Sequence, residues 1–270
     1  MFPTRSASDR RWFAPDWMTV SVVLGSVLVL YYIVPLLAMF VAQPWSVVLA
    51  KMADPTVIAA ATTSLLSASI TTVIAAIFGV PLAYWLARTE GRWKPVIHAV
   101  VVLPLILPPT VGGLVLLTVI GPNTQIGTAA GTLDIALTRS LIGVILAQTF
   151  VASPFTIVTA TAAFAGVDRH LEHASRTLGK GRWTTFRRVT LPLAWPGIVA
   201  GVTLTFARAM GEFGATLMLA YYPRTMPVQI WVAFIELGVA NAYPVAVILV
   251  VVAIVALVIL NTVGTNPWGG

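Results

Sequence analysis

Long apolar runs separated by short polar breaks fill the chain. The runs lie at 18–42, 57–87, 96–120, 135–165, 193–222 and 243–261. Each reaches about the 20 mostly apolar residues that a helix needs to cross the hydrocarbon layer of a membrane. In that medium every backbone N–H and C=O must find its partner within the protein, and a helix does this within one segment. The pattern predicts an all-α, polytopic membrane protein with about six transmembrane helices. A segment 1–17, a transmembrane domain 18–262 and a tail 263–270 follow from it.

The polar breaks set the orientation. Arg5, Arg10, Arg11, Arg88, Arg92, Lys94, Arg169, Arg176, Lys180, Arg182, Arg187 and Arg188 fall on one side, whereas the other side has Lys51, Arg139 and Arg224. Basic residues collect in cytoplasmic loops, so both termini are expected in the cytoplasm. Trp12, Phe13 and Trp17 suit an interfacial anchor, with or without an amphipathic helix lying on the surface. The first run exceeds the roughly 7–15 residues of a signal-peptide core and is read as an uncleaved span. Tyr221, Tyr222 and Trp231 read as anchors on the far side, with Asp134 and Glu236 in external loops.

Composition narrows the function classes. Apolar residues make up 58% and charged residues 9%, against about 25% charged in an average soluble domain. The net charge of +7 has no polar surface to spread over, so membrane topology explains it better than nucleic-acid binding does. With no cysteine, disulfides, thiolate metal sites and a cysteine nucleophile are excluded. His98, His170 and His173 are too scattered for a metal site. No His-Glu-x-x-His or Gly-x-Ser-x-Gly pattern supports a hydrolase, and no Gly-x-x-x-x-Gly-Lys-Ser/Thr loop would hold nucleotide phosphates.

Prolines punctuate the runs, most densely at Leu103-Pro104-Leu105-Ile106-Leu107-Pro108-Pro109-Thr110. Each proline removes an N–H and bends its helix, so Pro108 and Pro109 mark either a broken helix beside a pathway or a plain kink. In the fifth run Arg208 and Glu212 stand four residues apart, on one helical face. Burying a charge at mid-span costs about 2.5–3.5 kcal/mol, so the two should pair and face protein. Arg208 either supplies positive potential near an anion route, with Glu212 holding it, or belongs to a structural ion pair. Gly211 and Gly214 would let another helix approach closely.

The longest polar stretch, 166–192, contains Leu171, Ala174, Ser175 and Leu178 at helical spacing. A short helix ending near Gly179 or Gly181 would show a small-residue face to a partner. Its sequence resembles the coupling motif of ABC importer permeases, Glu-Ala-Ala, three residues, Gly, then Ile-x-Leu-Pro. Aligned on Gly179, the two alanines fall on Ala174 and Ser175, and the closing pair on Leu191 and Pro192. His173 occupies the usual Glu position, with Glu172 one residue early. The resemblance implies a permease fold of the type I importers and ATPase coupling through these residues. It also implies a pair of copies of the chain, two ABC ATPase subunits that hold the ATP and Mg, and an extracytoplasmic binding protein. No cofactor is expected on this chain.

Three further stretches are similar to molybdate/tungstate permeases: 107–113, 147–155 and 206–216. Sulfate permeases are similar but tend to Tyr-Gly-Ser where Phe213-Gly214-Ala215 stands, so a tetrahedral oxyanion is the expected cargo, molybdate or tungstate first and sulfate or thiosulfate as the alternative. The rival class is an ion-coupled secondary transporter or channel, which should show repeated halves or several titratable groups within its spans.

Overall fold

A computed structural model of the protein describes residues 17–264. The expectations placed on Arg5, Arg10, Arg11, Trp12 and Phe13, and on the tail beyond residue 264, lie outside the described residues. The chain divides into two compact units, 1–44 and 45–270. In the first, helix α1 (Trp17–Val41) is apolar on every side and contains Pro35. Its 25 residues are enough to span a membrane.

Among its described residues, the regular elements of the second unit are all helices. Its elements in chain order are α2 (Trp45–Met52), α3 (Pro55–Arg88), α4 (Lys94–Ile106), α5 (Pro109–Ile120), α6 (Gln125–Gly131), α7 (Leu141–Ala165), α8 (Arg169–Thr177), α9 (Arg182–Met210), α10 (Gly214–Leu219), α11 (Met226–Leu237) and α12 (Val239–Gly264). Helices α1, α3, α7, α9 and α12 are each long and apolar enough to cross a membrane, and α4 with α5 forms a bent sixth segment.

Helix α7 is the centre, packed against α3, α4, α5, α9 and α10. Its buried face is built from small residues, Gly143, Ala147, Ala152 and Ala160 among them. Association of helices in lipid gains nothing from burying apolar surface, so close van der Waals approach has to hold them together. The glycines of neighbouring elements show how close that approach is. A Cβ on Gly201 of α9 would lie 3.0–3.3 Å from Thr159 and Thr156, and one on Gly113 of α5 would lie 2.8 Å from the Ala215 carbonyl.

Buried hydrogen bonds stitch the same seam. Gln148 Nε2 donates to the Ala209 carbonyl at 3.0 Å, and Thr71 Oγ1 donates to Gln148 Oε1 at 3.2 Å. The Thr205 hydroxyl accepts from the Thr156 N–H and donates to the Ala152 carbonyl, both at 3.1 Å, so it bridges two backbone groups of α7.

Several boundaries differ from the apolar pattern, each for a local reason. The third run is not one straight helix: α4 and α5 meet at 118°. Leu107 is extended because it precedes a proline, and Pro108 and Pro109 bring no N–H to continue the ladder. A plain kink is thereby excluded. The fourth helix starts at Leu141, not 135, where the Ser140 hydroxyl caps Gly143 N–H at 3.1 Å. The fifth runs from Arg182 to Met210 instead of 193–222, so Leu191 and Pro192 lie inside a helix rather than in the loop. Glu236 sits in the last turn of α11, not in a loop.

Two segments widen to π-helical hydrogen bonding, Ala75–Gly79 in α3 and Phe186–Thr190 in α9. Each ends two residues before a proline, Pro81 and Pro192 respectively. A proline inside a helix removes one hydrogen bond and collides with the carbonyl four residues earlier, and the extra residue of a π turn relieves that collision.

Because Gly113 meets backbone rather than a pliable side chain, Gly113→Val is expected to push α5 off α10 and cost about 1–3 kcal/mol. The thermal unfolding midpoint in detergent should fall, and an unchanged midpoint would contradict the packing described.

Candidate functional site

At one end of the second unit, α8 is held between the ends of α3 and α9. Asp168 caps it by accepting from the His170 N–H at 2.8 Å. It stops in a Schellman turn: Gly179 N–H donates to the Arg176 carbonyl at 2.9 Å and Lys180 N–H to the Ser175 carbonyl at 3.2 Å. The turn puts Gly179 at φ +79°, a conformation that costs a residue with a Cβ about 1–2 kcal/mol. A Cβ there would meet no neighbour, so the demand on this position is conformational, not steric.

The inward face of α8 is polar and hydrogen-bonded to the bundle. Glu172 is buried and accepts from Arg88 Nη2 at 2.7 Å, Arg88 Nε at 3.2 Å and the Thr190 hydroxyl at 2.7 Å. Arg88 also donates to the Val167 carbonyl at 3.3 Å, and the Ser175 and Thr185 hydroxyls lie 3.0 Å apart. One carboxylate therefore joins the last residue of α3, the short helix and the π segment of α9. Leu171, His173, Ala174 and Leu178 point outward, with Leu178 79% exposed. Leu191 and Pro192 are half-buried in α9.

Beside this assembly a cavity of about 860 Å³ opens between the two π segments, bordered by Ala76, Tyr84, Arg176, Arg182, Trp183 and Leu191. Trp183 stacks on Phe186, which meets Tyr84 edge-on at 4.9 Å, and Tyr84 in turn meets Phe164.

Deeper in the bundle, α9 ends at Met210 and α10 begins at Gly214. Arg208 and Glu212 pair across this break and not along one helix. Arg208 Nη2 lies 2.6 Å from Glu212 Oε2, a charge contact outside hydrogen-bonding angles. Glu212 Oε1 accepts from the Ala215 N–H at 2.7 Å and so ties off the start of α10. Glu212 is 1% exposed and the Arg208 side chain 27%. Gly211, at the end of α9, is exposed.

The three stretches 107–113, 147–155 and 206–216 converge here. A Cβ on Gly214 would sit 2.9 Å from the Thr110 N–H nitrogen and 3.1 Å from Pro109, so α10 rests on the broken helix behind Pro108. Gly112 faces Phe150, with 3.1 Å available for a Cβ, and Gln148 binds the carbonyl of Ala209. Residue patterns cannot show these meetings, because each contact joins elements far apart in the chain. The partners of Glu172 were also hidden in the sequence, although Arg88 stood out as a charge at the end of a run. Among the described residues no group of three or more His, Asp or Glu is placed to hold a metal.

Comparison with known proteins agrees with the helical fold. The family model described as binding-protein-dependent transport system inner membrane component matches residues 79–265. A probable molybdenum ABC transporter permease protein of Haloferax volcanii is 54% identical over 265 residues, covering 98% of this chain and 97% of its own. A molybdate/tungstate transport system permease protein of Thermococcus kodakarensis is 39% identical over 240 residues, covering 88% and 92%. In fold, the chain resembles a bacterial ABC transporter involved in the import of the acidic polysaccharide alginate. That likeness has a TM-score of 0.69 at 17% identity and covers 94% of this chain and 97% of the other. With a family match over more than half its length and near full-length relatives, the chain belongs to the inner-membrane components of binding-protein-dependent transport systems.

Proposed function

We propose that this chain is the transmembrane subunit of an ATP-driven importer for a tetrahedral oxyanion, molybdate or tungstate. The proposal rests on one observation above the others: α8 shows Leu171, Ala174 and Leu178 outward while Glu172, behind it, is bonded to α3 and α9. A helix exposed in front and anchored behind suits the transfer of force from a partner into two spans. That partner is a pair of ABC ATPase subunits, which hold the ATP and Mg. His173, Ala174 and Gly179 form the contact surface and its terminus. Glu172, Ser175, Leu191 and Pro192 connect that surface to the bundle.

Two copies of the chain enclose the pathway, an extracytoplasmic binding protein delivers the anion, and both termini face the cytoplasm. The names of the relatives support molybdate or tungstate as cargo, as does Phe213-Gly214-Ala215 where sulfate permeases tend to Tyr-Gly-Ser. Arg208 is neutralised by Glu212, so this pair acts as a lock at the break between α9 and α10. The break and the adjoining α4–α5 bend place irregular backbone inside the bundle, where protein or a water-lined path must satisfy it.

Proteoliposomes holding the chain, its ATPase and a loaded binding protein should accumulate radiolabelled molybdate or tungstate only with ATP. Uptake without ATP or ATPase would favour an ion-coupled carrier instead. Gly179→Val should leave the protein inserted but loosen the end of α8, seen as faster amide exchange over 169–180. ATP hydrolysis should continue while uptake per ATP falls severalfold, and unchanged coupling would remove α8 from the proposed role. Glu212→Ala should destabilise by about 3 kcal/mol, because it strands a partly buried guanidinium. Adding Arg208→Ala should restore much of that loss in thermal unfolding, and a purely additive double mutant would argue against the lock.

A further inference from the structure

Arg224 lies in the turn between α10 and α11, far from the α8 assembly in the fold and next to the first turns of α3. Its guanidinium carbon sits 5.5 Å from the Tyr221 ring centre and 4.9 Å from that of Tyr222. Nη2 donates to the Tyr222 hydroxyl at 2.7 Å and Nη1 to Gln229 Oε1 at 3.3 Å. Nε is buried and has no hydrogen-bond partner among the described residues. Gln229 Nε2 in turn donates to Thr56 Oγ1 at 3.4 Å. Arg224, Tyr222, Gln229 and Thr56, together with Thr63, border a cavity of about 380 Å³.

The charge balance around this cavity is uneven. Among the described residues no carboxylate lies within 4.0 Å of Arg224. The nearest acidic group by connection is Asp54, which accepts from the Thr56 hydroxyl at 2.8 Å but is paired with Lys51 at 3.1 Å. Hydrogen bonds from Thr56 and Lys51 hold its carboxyl below its ordinary pKa, so it stays committed to them. Arg208 is cancelled by Glu212. Arg224 is thus a cation facing a cavity with its charge uncompensated.

Resting on the oxyanion reading above, we propose that this cavity is a weak docking site for a tetrahedral dianionic oxyanion, at the end of the bundle opposite α8. The planar guanidinium matches the oxygens of such an ion, and the Tyr222 hydroxyl, which accepts from Arg224, keeps its own proton to donate. The aromatic rings fix the guanidinium without cancelling its charge. A single uncompensated cation attracts the anion yet lets it leave, which a transport path requires.

The test uses the full transporter in lipid nanodiscs, with tungstate as the probe and the binding protein absent. Equilibrium dialysis should show weak, saturable binding that salt weakens. Arg224→Ala should reduce affinity about tenfold, as expected for loss of one charge-assisted contact. Gln229→Glu places a carboxylate against Arg224 at constant size and should lower affinity as much, so it decides the matter even where Arg224→Ala fails to assemble. Arg224→Lys should keep part of the affinity. Equal binding by wild type, Arg224→Ala and Gln229→Glu, or none by wild type, would overturn the site. ATP-driven uptake by wild type in a parallel assay separates this from failure of the function itself: the site falls alone if uptake persists, and both fall if it is absent.

Discussion

Helices inside a membrane cannot be held together by excluding water from apolar faces, because the lipid is as apolar as they are. The second unit meets that constraint around α7. Glycine, alanine and threonine face its neighbours, so backbones come within direct contact of one another. At that separation Gln148, Thr156 and Thr205 reach backbone groups on the adjoining helix or accept from them. Close approach and polar bonding thus depend on each other. Bulky residues along this seam would remove both.

The same constraint governs the irregular parts. Where Pro108 and Pro109 stop one helix and Gly211 stops another, unpaired backbone groups would be exposed to lipid if left alone. Instead the two breaks face each other, with Gly214 against Thr110 and Glu212 tying off α10. A buried carboxylate here answers a local need for an acceptor as well as the charge of Arg208.

Much of the fold was legible in the apolar runs, because a span must be long and continuous in hydropathy. What escaped was set by contacts between distant segments. The run at 193–222 ignores the break at Gly211, since Phe213, Ala215 and Leu217 are as apolar as a continuing helix would be. Conversely, Arg182 to Arg188 looked like loop by charge, yet those residues wind into α9. The Gly179 terminus of α8 could be read from the chain because a left-handed turn is a local property of glycine. The inward turn of Glu172 could not, because Arg88 and Thr190 are brought to it by the fold.

One detail of α9 bears on how the assembly deforms. Thr190, which donates to Glu172, is the last residue of the π segment Phe186–Thr190. A wide turn can trade one carbonyl partner for another at less cost than a regular α turn can. On the coupling reading proposed above, load carried by that carboxylate would enter α9 within its π segment through Thr190 and reach the end of α3 through Arg88. In that proposal the single acidic side chain is a yoke, with one arm on each span.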